Sequence, residues 1–164
     1  PGGRFVAELG GRGHVERVVD AVRAECAARG YASDDGSAGG AGDGVADVNA
    51  ADDADGGGGA DADAVDHPWY FPGLAEYATR LDASGFEVRF ARLFDRPTEL
   101  DGGADGLAAW LETFGDELLS PVPAGERAAV VAGVADRLRD DLFRRGSWVV
   151  DYRRLRVVAH LREG

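Results

Sequence analysis

The stretch SWVVDYRRLRVVAHL, Ser147 to Leu161, decides the fold of this chain. In its second half the side chains alternate between two faces, with Leu155, Val157, Ala159 and Leu161 on one and Arg156, Val158 and His160 on the other. A strand that is apolar on both faces usually lies inside a sheet rather than at its edge. The pattern therefore predicts one long central strand at the end of the chain, with two earlier strands on either side of it.

Two earlier segments have the composition of these flanking strands. Arg4–Leu9 is short and β-prone, and glycines bound it on both sides. Phe86–Phe94 alternates, and Phe86, Val88 and Phe90 are expected to point inward. Its half-polar pattern is typical of an edge strand. The sequence thus predicts a sheet in which the last strand pairs with both segments.

Four segments have the apolar periodicity of amphipathic helices. Cys26 falls on the apolar face of the first and is expected to be buried and inert. Asp105 is expected to cap the third. Strands that alternate with helices indicate an α/β fold. The predicted helices are His14–Arg29, Leu74–Ala83, Asp105–Leu119 and Ala124–Phe143.

An acidic, low-complexity segment at residues 33–66 interrupts this pattern. It contains ten Asp and no basic residue, so it carries ten of the twelve net negative charges of the 164-residue chain. It has too few apolar residues to offset its ordering entropy, which predicts a disordered insertion. A weaker hypothesis makes it the centre of a metal- or salt-responsive acidic protein. All 18 basic residues are Arg, and this composition suggests a halophilic source.

The composition also restricts the function classes. The negative charge disfavours nucleic acid as a partner. No apolar run reaches the ~20 residues of a membrane span, and no signal peptide is visible, so a cytoplasmic location is expected. His14, His67, His160 and Cys26 have no metal-ligand spacing, which predicts no metal site. The glycines at residues 10–13 form neither a GxGxxG nor a Walker loop.

Two features remain candidates for a ligand site. Glu8 lies at the carboxyl end of the first strand, where open α/β sheets bind ligands. The corner HPWYFP, residues 67–72, places three aromatic rings between two prolines. It is either packing at the end of the insertion or one wall of a substrate pocket, and the sequence favours neither.

The order of these segments resembles the C-terminal portion of class I S-adenosylmethionine (SAM)-dependent methyltransferases. PGGRFVAELGG, residues 1–11, is similar to the fifth strand and following loop of that family, and SGFEV at 84–88 to the entry into the sixth strand. GLAAWLETFGDELL, 106–119, resembles the helical insertion of the trans-aconitate methyltransferase subgroup, and DYRRLRVVAHL, 151–161, its closing strand.

The resemblance implies an architecture. It implies an α/β fold that is the C-terminal half of a Rossmann-like sheet, with three strands, the last one antiparallel and central, and a helical insertion. Residues 1–32 would be the fifth strand and its helix, 33–66 the insertion, and 67–164 the C-terminal region with a helical substrate lid. The family's SAM-binding half precedes the fifth strand and is missing from these residues.

The resemblance also implies a function. The chain would belong to an enzyme that transfers a methyl group from SAM to a small molecule, most often to oxygen. SAM would be bound mainly by the missing N-terminal half, and Arg153 or Arg154 would pair with a substrate carboxylate. Alternatively, the chain is a non-catalytic docking module that pairs with a separate chain carrying that half. The candidate substrate-binding residues are Glu8, His14, Trp69, Tyr70, Phe71, Trp110, Phe114 and Arg153.

Overall fold

The computed structural model describes residues 3–31 and 69–162, so the acidic segment 33–66 and its predicted disorder lie outside the described residues. A 3₁₀ turn, Gly103–Asp105, precedes α3. No helix within the described ranges is long and apolar enough to cross a membrane. The elements, in chain order, are β1 Arg4–Gly10, α1 Glu16–Ala28, α2 Leu74–Ala83, β2 Phe86–Asp95, β3 Thr98–Glu99, α3 Gly106–Phe114, α4 Arg127–Leu142, β4 Phe143–Arg144, β5 Ser147–Val150 and β6 Arg153–Leu161.

The main sheet has the order β1–β6–β2, which confirms that the last strand is central and antiparallel. β6 pairs with β1 from Arg4 opposite His160 to Gly10 opposite Arg154. β1 and β2 run in the same direction because both are antiparallel to β6, but they do not pair with each other. Every strand pair in the described part of the chain is antiparallel, so the parallel pairing of a Rossmann-like sheet is not found there.

The predicted single strand from Ser147 to Leu161 is wrong, because the chain breaks at Asp151 and Tyr152 into β5 and β6. The Tyr152 backbone N–H turns back to donate to the Val150 carbonyl (2.9 Å), and the Tyr152 carbonyl accepts from the Arg96 N–H (2.7 Å). β5 therefore leaves the main sheet and forms a second antiparallel sheet with the order β3–β5–β4.

The inward orientation predicted for Phe90 is also wrong. The register shifts between Val88 and Phe90, which is a β-bulge that leaves Arg89 unpaired. After the bulge, Ala91 and Leu93 take the inward positions, and the Phe90 ring is 44% exposed on the opposite face. Uninterrupted alternation would have placed Arg92 inward after Phe90, whereas the bulge places Ala91 and Leu93 there.

Several helix boundaries differ from the prediction, and α4 begins at Arg127 rather than Ala124. α1 begins at Glu16 rather than His14 because Val15 has a left-handed backbone (φ 51°). Asp105 makes no side-chain cap because it lies in the 3₁₀ turn that leads into α3. α3 ends at Phe114, after which a series of turns leads into α4.

Two apolar clusters hold these elements together. In the smaller one, Tyr77 and Leu81 of α2 pack on the inward face of the main sheet, against Leu155, Val157 and Ala159. The larger one joins α1, α3, α4 and β5, and it includes Cys26, whose predicted burial is confirmed. Its largest fully buried side chain is Trp148, whose indole N–H donates to the Ala104 carbonyl (2.9 Å).

One buried carboxylate links α1 to α4. Glu25 accepts hydrogen bonds from Arg29 and from Arg137, both at 2.7 Å. A Cβ at Gly133 would collide with the Glu25 carboxylate, so a larger residue there would displace Glu25 from its present position between the two helices. The hydrogen bonds from Arg137 and then Arg29 lower the Glu25 pKa from its usual 4.5. The folded protein therefore favours the charged form of Glu25.

We predict that Leu155→Ala destabilises the fold by about 2–5 kcal/mol, because it opens a cavity in the central strand where Leu155 is fully buried. Val158→Ala is the matched control on the opposite face of β6 and should cost less than about 1.5 kcal/mol. Urea unfolding of both variants measures the difference. Equal losses would show that β6 is not buried on one face only.

We predict that Glu25→Gln destabilises the protein at neutral pH and that the deficit disappears in acid. Because the folded-state pKa of Glu25 is lowered, its contribution is complete above the unfolded-state pKa. It is lost as the pH falls through the lower, folded-state pKa, since protonated Glu then resembles Gln. Urea unfolding from pH 7 to pH 3 measures this, and a deficit that stays constant with pH would contradict it.

Candidate functional site

A cluster of aromatic rings lies at the carboxyl end of β1. We call it the aromatic cluster, and it is built from the loop after β1, the corner before α2, helix α3 and the β5–β6 junction. Its residues are His14, Trp69, Phe71, Trp110, Phe114 and Tyr152. The sequence singled out all of these except Tyr152.

His14 is the point at which the cluster meets the sheet. It is buried, and its Nδ1 accepts a hydrogen bond from the Arg153 backbone N–H (2.9 Å). A neutral imidazole with an acceptor at Nδ1 carries its proton on Nε2. The ring lies 4.7 Å from Phe71, edge to face, and 4.5 Å from Tyr152, centroid to centroid. His14 therefore orients the cluster from within and is not an exposed helix-start residue.

The strained backbone of the next residue, Val15, holds His14 in position. Val15 is β-branched but has a φ of 51°, a conformation that costs about 1–2 kcal/mol for a side chain of this kind. Burial of the Val15 side chain and a hydrogen bond from its N–H to the Asp151 carbonyl (3.2 Å) hold it there. Strained residues that the surrounding structure holds in place are common at functional sites.

The rings form a continuous series from the interior to the surface. Trp69 lies 5.9 Å from Phe71 and 6.2 Å from Trp110, and Trp110 lies 5.5 Å from Phe114. The Trp110 indole N–H donates to the Tyr152 hydroxyl (2.9 Å), which ties α3 to the β5–β6 junction. Phe114 ends the series and is 54% exposed. The corner before α2 thus packs against the rest of the fold through Trp69 and Phe71, which is the first of the two readings that the sequence left open.

Arg154 provides a cationic group beside the aromatic cluster. Its guanidinium carbon lies 5.0 Å from the centre of the Tyr152 ring, a cation–π geometry. Its Nε is buried and makes no hydrogen bond within the described residues. A buried donor without a partner is uncommon in native structures, and a carboxylate would satisfy it. Arg153, the other arginine that the sequence offered, also has a buried Nε without a hydrogen bond, but this nitrogen lies 3.4 Å from Asp95 in an ion pair.

Tyr152 is the residue that sequence reasoning missed. It stands in what read as an unbroken strand, and only the break between β5 and β6 turns it towards His14 and Trp110. The signal in the sequence was the polar run Asp151–Arg154, which interrupts an otherwise apolar strand.

Glu8 and Tyr70 are not part of the cluster. Glu8 lies on the sheet, where Arg156 and Arg96 donate to its two carboxylate oxygens at 2.7 Å each. The hydrogen bond from Arg156 is the main cause that lowers the Glu8 pKa. The Tyr70 hydroxyl donates to Glu76 (2.9 Å), and burial is the first cause that raises its pKa.

The glycine loop after β1 does not provide space for SAM. A Cβ at Gly10 would lie 2.5 Å from the Phe71 ring and 2.9 Å from the His14 ring, and one at Gly11 would collide with Leu93. The protein's own side chains therefore fill the space that these glycines leave. Glu8 is held by its two arginines, so neither this loop nor Glu8 is arranged to hold SAM. The described residues contain no group of three His, Cys, Asp or Glu that could hold a metal ion.

We predict that Gly10→Ala destabilises the protein by about 1–3 kcal/mol, because the added methyl group must displace Phe71 and His14. The matched control is Gly3→Ala, since nothing lies within 4 Å of a Cβ at Gly3. Urea unfolding followed by tryptophan fluorescence measures both variants. Equal stability of the two would show that the loop does not pack against these rings.

Comparison with known proteins gives one informative match. No family model matches the chain. The chain is 28% identical over 158 residues to "Uncharacterized methyltransferase C70.08c" of Schizosaccharomyces pombe, a match that covers 96% of this chain and 49% of that protein. The chain thus spans about half the length of this relative. The similarity extends over nearly all of the chain and supports a relationship to methyltransferases.

Proposed function

We propose that this chain forms the substrate side of a SAM-dependent methyltransferase that methylates a small molecule, most often at oxygen. In this proposal its main sheet is the C-terminal half of a Rossmann-like sheet of the trans-aconitate methyltransferase type. SAM is held mainly by polypeptide outside these 164 residues and supplies the methyl group. The observation that carries the proposal is the aromatic cluster with Arg154 beside it, in a chain similar to a methyltransferase.

The chemistry of the cluster supports a particular kind of substrate. Trp69, Trp110 and Phe114 form an apolar wall that reaches the surface, and Arg154 adds one positive charge with an unsatisfied buried nitrogen. An apolar wall with a few polar groups is typical of small-molecule sites. The substrate would therefore have an apolar or planar body and a carboxylate.

Each group of the cluster then has a physical task. The rings exclude water and hold the substrate body, which lowers the entropic cost of aligning the reacting oxygen. Arg154 pairs with the carboxylate and fixes its orientation. His14 and Tyr152 are positioning residues, because they hold Phe71 and Trp110 in place through ring contacts and a hydrogen bond.

A second candidate function rests on the edge of β1. Within the described residues, β1 pairs only with β6, so its other edge has unpaired backbone groups. A strand of a separate chain that carries the cofactor half would satisfy them by adding to the sheet. In this alternative the chain is a non-catalytic docking module, and the aromatic cluster binds no substrate.

We predict that the 164-residue chain binds trans-aconitate, a tricarboxylate probe, and does not bind SAM. Calorimetric titration in high potassium chloride measures both, and the fluorescence of Trp69 and Trp110 should change only with the carboxylate. Arg154→Gln should weaken carboxylate binding about tenfold or more, because a charge-assisted hydrogen bond is lost.

The control for this experiment is Arg145→Gln, which removes an exposed arginine in the turn between β4 and β5. It should bind trans-aconitate as the unmodified chain does. Saturable SAM binding would contradict a cofactor site outside these residues. Carboxylate binding that Arg154→Gln leaves unchanged would contradict the proposed substrate site, and a complete lack of carboxylate binding would favour the docking module.

A further inference from the structure

The main sheet has a second face that none of the described helices covers. α2 packs on the inward face, whereas the opposite face, which we call the outer face, is exposed or half-exposed except at Gly10, where Phe71 and His14 lie against it. The strand register arranges this face in rows across β1, β6 and β2. The rows are Arg4, His160 and Glu87; Val6, Val158 and Phe90; Glu8, Arg156 and Arg92; and Gly10, Arg154 and Phe94.

One of these rows is apolar across all three strands. Val6 is 58% exposed, Phe90 is 44% exposed, and Val158 lies half-buried between them. Single exposed apolar residues are ordinary, but a contiguous row marks an interaction surface. The bulge at Arg89 completes the row, because uninterrupted alternation from Val88 would have turned Phe90 inward. Bulges often re-aim a side chain in this way.

The neighbouring row is positively charged. Arg92 and Arg156 both lie against the Phe94 ring, with their guanidinium carbons 5.4 and 5.2 Å from its centre. Arg96 follows the end of β2, and among the described residues Glu8 is the carboxylate that binds Arg96 and Arg156. Three arginines against one glutamate leave a local excess of positive charge on a protein whose net charge is −12.

We propose that the outer face binds an acidic amphipathic helix of a partner polypeptide. Three strands spaced about 4.8 Å apart make a strip about 10 Å wide, which is the diameter of one α-helix. Successive rows along a strand are about 7 Å apart, close to the 5.4 Å pitch of a helix. One turn of the helix therefore packs on the Val6–Val158–Phe90 row, and the next turn presents carboxylates to Arg92 and Arg156.

A second copy of this chain fits the outer face less well. Two outer faces packed together would bring the arginines of one copy close to those of the other, and like charges at an interface are repulsive. The outer face adjoins the aromatic cluster only at the Gly10–Arg154–Phe94 row, whereas the Val6–Val158–Phe90 row lies two rows away from it. The proposal does not depend on methyl transfer. It adds a partner-binding surface to whatever the cluster does.

The test is a binding measurement with two designed peptides of about 15 residues, a length at which helices become stable. Both have leucines at i and i+3, and the residues one turn further along the same face, i+4 and i+7, are glutamate in one peptide and lysine in the other. Fluorescence anisotropy of the labelled peptides gives the affinity for the 164-residue chain. We expect the glutamate peptide to bind saturably, to bind more weakly as salt increases, and to bind at least about tenfold more tightly than the lysine peptide.

Variants locate the binding on the outer face. The double variant Val6→Ser with Phe90→Ser should weaken binding of the glutamate peptide about tenfold or more, and Arg92→Glu should weaken it while it improves binding of the lysine peptide. The control is Leu74→Ser, which removes an exposed apolar residue of α2 away from this face, and it should bind normally. If the double variant does not fold, as judged by circular dichroism, the peptide affinities of Arg92→Glu alone test whether binding is on the outer face.

Three results would overturn the proposal. They are an absence of saturable binding by the glutamate peptide, equal affinity for the lysine peptide, and full affinity in a folded double variant or in Arg92→Glu. Sedimentation equilibrium tests whether a second copy of this chain binds the outer face instead. A dimer of the unmodified chain that the Val6→Ser and Phe90→Ser changes abolish would assign the outer face to a second copy and would also overturn the proposal.

Discussion

The pairing of β6 with strands on both sides is the constraint on which the rest of the structure depends. Because β6 follows β1 and β2 in the chain, these two strands cannot complete their ladders until the chain has been made as far as Leu161. The continuous register along β1 then fixes which side chains face α2 and which face outward, since a shift of one residue would exchange the two faces. The burial of Leu155, Val157 and Ala159 penalises such a shift.

The position of the candidate site depends on the turn that leads from β5 into β6. The chain leaves the second sheet at Val150, turns through Tyr152 and enters β6, and this turn meets the loop after β1. The Arg153 N–H that binds His14 lies at that meeting point. The aromatic cluster thus stands where the two apolar clusters of the protein come together. Rings from segments far apart in the chain share one site because the register of β6 brings their backbones together.

The charges are arranged unevenly, and their positions matter more than their sum. The chain is strongly acidic, but several of the described arginines lie on the outer face of the sheet and two bind Glu25. Around Glu25 they stabilise a buried carboxylate between α1 and α4, where Gly133 leaves room for it. On the outer face the arginines outnumber the carboxylates that bind them. The same residue type therefore holds the interior together in one place and offers a surface for a partner in another.

The sequence by itself determined the central position of the last strand, the two flanking strands and the existence of four helices, because apolar periodicity reflects burial directly. It also identified five of the six residues of the aromatic cluster, since aromatic side chains in a loop or on a helix stand out from their surroundings. The tertiary structure decided the rest. The break at Asp151–Tyr152, the left-handed Val15 and the bulge at Arg89 each arise from backbone hydrogen bonds to distant segments, and residue types along one strand do not encode such bonds. These three features bring Tyr152 and His14 into the cluster and turn Phe90 outward. The sequence specifies the side chains, and backbone pairing between distant segments determines which of them come into contact.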